Sequence, residues 1–393
     1  MPGIGNQPSA DGGARRARWS QPPGRADSAC VAGRSGCNGS TPWRHTTSTK
    51  GRAMTRQPSG PQSVEQRMVT AERELFAGLG TDVDEFFIEL GQSGRRVRVL
   101  SHGRGPAVVL LHGVSLSAAV WAPLFTKLPQ FRLLAVDLPG HGLSDPMAFG
   151  RGKVREHASR LIDDILDALG LDEVPVIGHS LGGMFALWHV AAGSRRISAL
   201  VAIGMPAVAL AGVRVRMPLS LMTVPGLGSA FLRSPSPRPV YRRLLARGLG
   251  PAEVAAAPDA LIEALRLSAR RRANARTVAS LMHAIDRFRR PRAESVLTGT
   301  ELAAIRIPTI FVLGSDDPYL SVDLARLSIQ RIPGATIHEV PAGHAPWLVD
   351  PHSAALLATD LFARRSDNAL NASGVADTGG AAKSAPIGER ELP

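Results

Sequence analysis

Val174-Pro-Val-Ile-Gly-His-Ser-Leu-Gly-Gly183 decides how this 393-residue chain is read. Val174 to Ile177 is short and apolar, as a buried strand is, and Met184 to Ala192 continues without proline, as a helix does. Between them Gly178, Ser180 and Gly182 fit Gly-x-Ser-x-Gly, a tight strand-to-helix turn that lifts a serine hydroxyl above the end of a sheet. The glycines are needed because backbone segments pass within a side chain's width of each other. The pattern is short enough to arise by chance, so its weight depends on what surrounds it.

Working outward, apolar runs and helical faces alternate. Asp84 to Gly91 and Arg95 to Gly103 read as a β-hairpin closed by a Gln-Ser-Gly turn. Ala107 to Leu111 is unbroken and apolar, as suits a strand covered on both faces, and runs into His112 and Gly113. Phe131 to Val136 repeats this and leads into Asp137-Leu-Pro-Gly-His-Gly142, dense in turn formers. Leu161, Ile162, Ile165, Leu166 and Leu169 mark one face of a helix ended by Gly170. After the strand Ile197 to Ile203 the alternation stops: from about Pro206 to Leu297 only helical faces appear. It resumes with strands at Pro308 to Leu313 and Thr336 to Val340, a helix near Leu320 to Ile332, and a closing helix from about His352 to Arg364.

Such alternation predicts an α/β protein with a mostly parallel, doubly wound sheet that starts with a β-hairpin. The expected organisation is a tail over residues 1–62, a core over 63–205 and 298–366, a helical lid insertion over 206–297, and a second tail over 367–393. Both tails are rich in small and polar residues and are expected to be disordered. An organelle leader, or a true start at Met54 or Met68, are the alternatives for the first.

The net charge of +13 resembles a nucleic-acid binder's until it is located. About +7 falls before Gly60, and most of the rest lies between Arg266 and Arg292, including Arg270, Arg271, Arg272, Arg287, Arg289 and Arg290. A solvated helical face accounts for the second cluster, with attraction of an acidic substrate or an anionic membrane surface as the alternative, so no nucleic-acid partner is expected. Both cysteines, Cys30 and Cys37, lie in the first tail, which leaves the folded region without a disulfide framework and points to a reducing, cytoplasmic setting. No uncharged apolar window is long enough for a membrane span, so no stable membrane insertion is expected.

A serine hydroxyl needs a base within hydrogen-bond reach, and the base needs a third group to hold it. Asp316 and Asp317 follow the strand Pro308 to Leu313, and His344 follows the strand Thr336 to Val340, giving the chain order Ser, Asp, His. With HGVS at His112 to Ser115, DLPGHGLSD at Asp137 to Asp145, GHSLGG at Gly178 to Gly183, GSDDP at Gly314 to Pro318 and GHAPWLVDP at Gly343 to Pro351, the chain resembles the α/β-hydrolase fold superfamily over about Asp84 to Arg365. The resemblance implies Ser180 as nucleophile, His344 as base and Asp317 as its orienting acid, since relatives place the acid three residues after the glycine ending its strand; Asp316 is the alternative. It also implies an oxyanion hole from the Val114 and Leu181 amides, and no metal or cofactor.

His112, Gly113, Trp121, His179 and Trp347 are the candidate substrate-binding residues, with turn-shaping or packing as the competing role. Asp137 is expected to anchor its loop, and His102, His157, His283, His338 and His352 show no metal-ligand spacing. The activity this implies is hydrolysis of a carboxylic ester or lactone of a small, moderately apolar molecule through an acyl-enzyme. One alternative is carbon–carbon bond hydrolysis of a diketone-like ring-cleavage product. Val114-Ser-Leu-Ser117 and Ala345 depart from those relatives, which carry Gly and Pro after the His-Gly turn and often Trp after the histidine. A non-catalytic binding protein on the same scaffold is the third reading, disfavoured by an intact Ser, His and Asp set. Oligomeric state is not legible.

Overall fold

A computed structural model describes residues 17–18 and 62–376, apart from positions 216, 218 and 235. Its centre is one sheet, built from β1 (Ala17–Arg18), β2 (Asp84–Leu90), β3 (Arg95–His102), β4 (Ala107–Leu111), β5 (Arg132–Val136), β6 (Val174–His179), β7 (Ile197–Ile203), β8 (Thr309–Gly314) and β9 (Thr336–Val340). The spatial order is β1-β2-β3-β5-β4-β6-β7-β8-β9. β2 and β3 form the expected hairpin, antiparallel with Asp84 opposite Ser101. From β5 onward every pairing is parallel.

The unbroken apolar runs are explained by burial on both faces. In β4, Val109 and Leu111 enter one core with the helices Val154–Leu169 and Leu181–Ala191. Val108 and Leu110 enter the other, with the helix Val64–Gly78 and the closing helix. That is the period of two read from both sides.

Between β7 and β8 the chain leaves the sheet and forms the helices Leu227–Arg233, Arg238–Leu249, Pro251–Ala256, Asp259–Ala269 and Arg272–Ile285. Polar ties fasten this helical block to the loop after β5. Arg271 Nη1 donates to Gly142 O, Asn274 Nδ2 donates to the same oxygen, and the Gly142 amide donates to Ser268 Oγ.

Three differences from the sequence reading are instructive. A fifteen-residue helix, Val64–Gly78, precedes the hairpin; Ser63 and Gln66 form a reciprocal capping box at its start, a signature that was present in the sequence. The closing helix runs to Ala376, past Ser366 into the expected second tail, because Asp367 to Ala376 is proline-free and carries three alanines, the best helix former. In the first segment Ala17–Arg18 pairs antiparallel with Asp84–Glu85; main-chain pairing on an open sheet edge needs no apolar side chain and leaves no compositional trace. The rest of the expectations for residues 1–61 and 377–393, the two cysteines included, lie outside the described residues. No helix among the described residues is long and apolar enough to cross a membrane.

Candidate active site

β6, β8 and β9 run parallel, so their carboxyl ends open on one edge of the sheet. Ser180 follows β6 directly, Asp317 follows β8, and His344 follows β9.

Ser180 has φ 48° and ψ −105°, a backbone conformation that side chains rarely adopt. It is held by its amide to Ile203 O, by the Met184 amide to Ser180 O, and by the Gly182 amide to His112 O. The flanking glycines are obligatory. A Cβ on Gly178 would lie 2.8 Å from the Gly183 Cα, and one on Gly182 would lie 2.1 Å from Leu111 O.

Asp317 is buried and accepts three donors. Oδ2 receives His344 Nδ1–H at 2.6 Å and the Met205 amide at 3.0 Å; Oδ1 receives the Tyr319 amide at 3.0 Å. Burial pushes its pKa up, but the charge of His344 and these hydrogen bonds outweigh burial and hold the carboxyl below its ordinary range. The bond to Nδ1 fixes the imidazole proton there and leaves Nε2 as the basic nitrogen. The ring is packed edge-on by Tyr319, with centroids 4.5 Å apart. Asp316 is exposed and makes no pair with His344.

Ser180 and His344 share a cavity of about 430 Å³, walled by the helical block and largely apolar, with Val208, Val213, Met222, Phe231, Leu244 and Met282 among its lining. That volume suits a small organic ligand. Val114 and Leu181 also line it, and their amides donate no hydrogen bond among the described residues. Leu181 opens the helix Leu181–Ala191, whose first amides have no intrahelical acceptor and sit at the positive end of the helix dipole. Ser115, at φ 60°, bends the other side of this rim.

Of the five candidate substrate-binding residues, only His179 reaches the cavity wall. Its Nε2–H donates to His344 O at 3.1 Å, and burial, with the His344 charge adding, holds its pKa well below the ordinary value. His112 lies behind the wall, fully buried: Nε2 accepts the Leu138 amide and Nδ1–H donates to Gly113 O. Gly113 is buried too, and has no room for a side chain, since a Cβ there would lie 2.5 Å from His179 Nδ1. Trp121 and Trp347 stack on each other at 4.7 Å, fully buried, and Trp347 Nε1 donates to Val120 O. The indoles form a floor beneath His179, whose ring meets Trp347 at 4.6 Å, rather than a binding surface.

Asp137 anchors its loop as expected, taking the Ala118 amide on Oδ1 and the Leu143 amide on Oδ2. Nothing in the sequence marks Arg98, wholly buried, which also pairs with Asp137, with Glu72 of the helix Val64–Gly78 and with Glu85. Nor does it mark Met205 and Tyr319, whose amides orient Asp317, or Tyr241 in the cavity wall. Backbone donors carry no residue signature. Among the described residues no group of three or more His, Cys, Asp or Glu is placed to hold a metal ion.

A family model for the alpha/beta hydrolase fold matches residues 106–351, so the chain belongs to that family and is an enzyme of it. It is 27% identical over 256 residues to a 2-hydroxy-6-oxononadienedioate/2-hydroxy-6-oxononatrienedioate hydrolase of Cupriavidus pinatubonensis, covering 63% of this chain and 83% of that one. It is 42% identical over 106 residues to a pimeloyl-[acyl-carrier protein] methyl ester esterase of Xanthomonas campestris, covering 26% of this chain and 37% of that one. The solved carboxylesterase CesB of Bacillus subtilis shares its fold with a TM-score of 0.62 at 20% identity, covering 76% of this chain and 98% of that one.

Proposed function

We propose that this chain is a serine hydrolase that cleaves a carboxylic ester or lactone of a small, moderately apolar molecule. The observation that carries this reading is the 2.6 Å bond between His344 Nδ1 and Asp317 Oδ2 beside a cavity that Ser180 also lines. Ser180 Oγ attacks the acyl carbon while His344 Nε2 takes its proton. The oxyanion that forms is met by the Val114 and Leu181 amides, and the imidazolium is stabilised by Asp317. Collapse expels the alkoxide, which receives the proton from His344, and leaves an acyl-enzyme on Ser180. Water then repeats the sequence, giving its proton to His344 and releasing the acid. The helical block serves as a lid whose side chains select the acyl group. The cysteine-free core supports a cytoplasmic setting.

A second reading keeps these residues and changes the bond to carbon–carbon. What favours it is the dienedioate hydrolase relative together with two cations in the cavity wall: Arg266, paired with Glu263, and Arg270, exposed and in no ion pair among the described residues. The test is a panel of p-nitrophenyl esters of graded chain length, lactones and a vinylogous diketone, run with a fluorophosphonate probe. Wild type is expected to label and to turn over one class. Ser180→Ala should fold, fail to label, and lose turnover on the order of 10⁶-fold. Wild type labelling no faster than Ser180→Ala refutes the reading.

A further inference from the structure

We propose that Glu253 is a positioning residue for His344, so that the block walling the cavity also sets the place of the base. This rests on the reading of His344 as general base. Glu253 stands on the helix Pro251–Ala256 and is 1% exposed. Its Oε1 accepts the amide hydrogen of Gly343, the residue before His344. One residue on, the His344 amide donates to Leu249 O at 2.6 Å, at the end of the helix Arg238–Leu249. Two consecutive amides of the histidine loop are therefore bonded to the helical block. The His344 carbonyl is held from the sheet side by His179 Nε2–H.

The chain is shaped for this approach. A Cβ on Gly343 would lie 2.5 Å from Leu249 O and 2.9 Å from Glu253 Oε2. Gly250, at φ +121°, would place a Cβ 1.9 Å from Glu253 Oε2, and on the far side a Cβ on Gly314 would lie 1.9 Å from Gly343 O. Three backbones thus pass in contact, with the histidine loop between β8 and the block. Glu253 makes no ion pair among the described residues. A carboxylate is almost never fully buried without a charged partner. An aliphatic side chain would dock the helix at less desolvation cost, but it offers no acceptor to Gly343. The acceptor is what this position supplies.

The experiment measures fluorophosphonate labelling, kcat and KM on the ester that wild type turns over best, for Glu253→Ala, Glu253→Gln and Glu253→Asp. Glutamine keeps an acceptor oxygen at the same reach, whereas aspartate keeps the charge and loses the reach. Glu253→Ala is expected to lower kcat and the labelling rate about ten-fold with KM within about three-fold, since an ångström of misplacement costs up to ~10²-fold and the Leu249 and His179 bonds remain. Glu253→Gln should recover most of that loss. A Glu253→Ala kcat within about two-fold of wild type, a loss confined to KM, or Glu253→Gln as impaired as Glu253→Ala overturns the proposal. If circular dichroism shows Glu253→Ala unfolded, Glu253→Asp against Glu253→Gln decides: aspartate low and glutamine near wild type supports it, and any other order overturns it. Failure of wild type to label above Ser180→Ala is a separate outcome: it removes the serine-hydrolase reading and this proposal with it.

Discussion

Replacing Asp317 by asparagine removes one acceptor from a group that serves three donors. Asparagine has a single oxygen. Placed where Oδ2 lies, it keeps His344 Nδ1–H and the Met205 amide but turns its NH₂ toward the Tyr319 amide. Flipped, it keeps Tyr319, orphans Met205 and forces His344 Nδ1 to accept, which moves the proton to Nε2 and leaves no base. Each orientation strands one amide, costing about 1–3 kcal/mol of stability. The Met205 bond is buried and the Tyr319 bond only partly so, which makes the first orientation the cheaper. A histidine held wholly in the wrong tautomer loses about 10⁴-fold in kcat, ~5.4 kcal/mol at 1.36 kcal/mol per decade. Even in the right tautomer the imidazolium that forms loses the carboxylate charge that stabilises it, so the expected loss is about 10³-fold. Asp316→Asn, at an exposed position, should stay within about two-fold.

The assay is kcat on the best ester and the fluorophosphonate rate, with urea unfolding alongside. Because the folded pKa of Asp317 lies below 3.8, its contribution to stability is complete above that value and is lost as pH falls through the lower folded one. Asp317→Asn should therefore show a shallower acid loss than wild type. Activity within ten-fold of wild type for Asp317→Asn, or Asp316→Asn the worse of the two, refutes the assignment.

Two further outcomes concern stability. Arg98→Met strips the cation from between Glu72, Glu85 and Asp137, two of them wholly buried, and should cost about 3–5 kcal/mol by urea titration at neutral pH, against nearly nothing for a surface arginine; less than about 1 kcal/mol means the carboxylates are not held by it. His141 is pushed down to about 3 by burial, with the charge of His112 adding, so the folded state holds it neutral where the unfolded chain protonates near 6.5. Its contribution is full above about 6.5 and declines by ~1.4 kcal/mol per pH unit below that until about 3; His141→Asn should show a correspondingly shallower slope, and equal slopes would exclude the effect.

The middle of the sheet was legible because strands such as β4, β7 and β8 are buried on both faces, which leaves unbroken apolar runs such as Ala107 to Leu111. The turns that carry Ser180 and His344 were legible for a related reason: the glycines in them are imposed by close contacts, as at Gly178, Gly182 and Gly343, and glycine is visible in a sequence. Asp317 was separable from Asp316 only by resemblance, since two adjacent acids differ in direction rather than in type. The tryptophans misled because large aromatic residues near catalytic loops fit a pocket wall and a floor equally well, and only packing distinguishes Trp347 on Val120 O from a ligand contact. Glu253 carried no mark at all. Its partner is a main-chain amide ninety residues on, and within Pro251-Ala-Glu-Val-Ala-Ala256 it reads as one more helix former.

The helical block leaves the sheet after β7 and returns before β8, strands that are neighbours, and the Leu297 amide donates to Ala209 O at 2.9 Å where its two ends meet. An insertion whose ends touch behaves as a cassette: a foreign segment of another length can be spliced there without moving any strand. Under the lid role proposed above, such an exchange would change the substrate range. The graft must, however, bring its own acceptors to Gly343 and His344, or the chimera will fold around a new cavity with the histidine adrift.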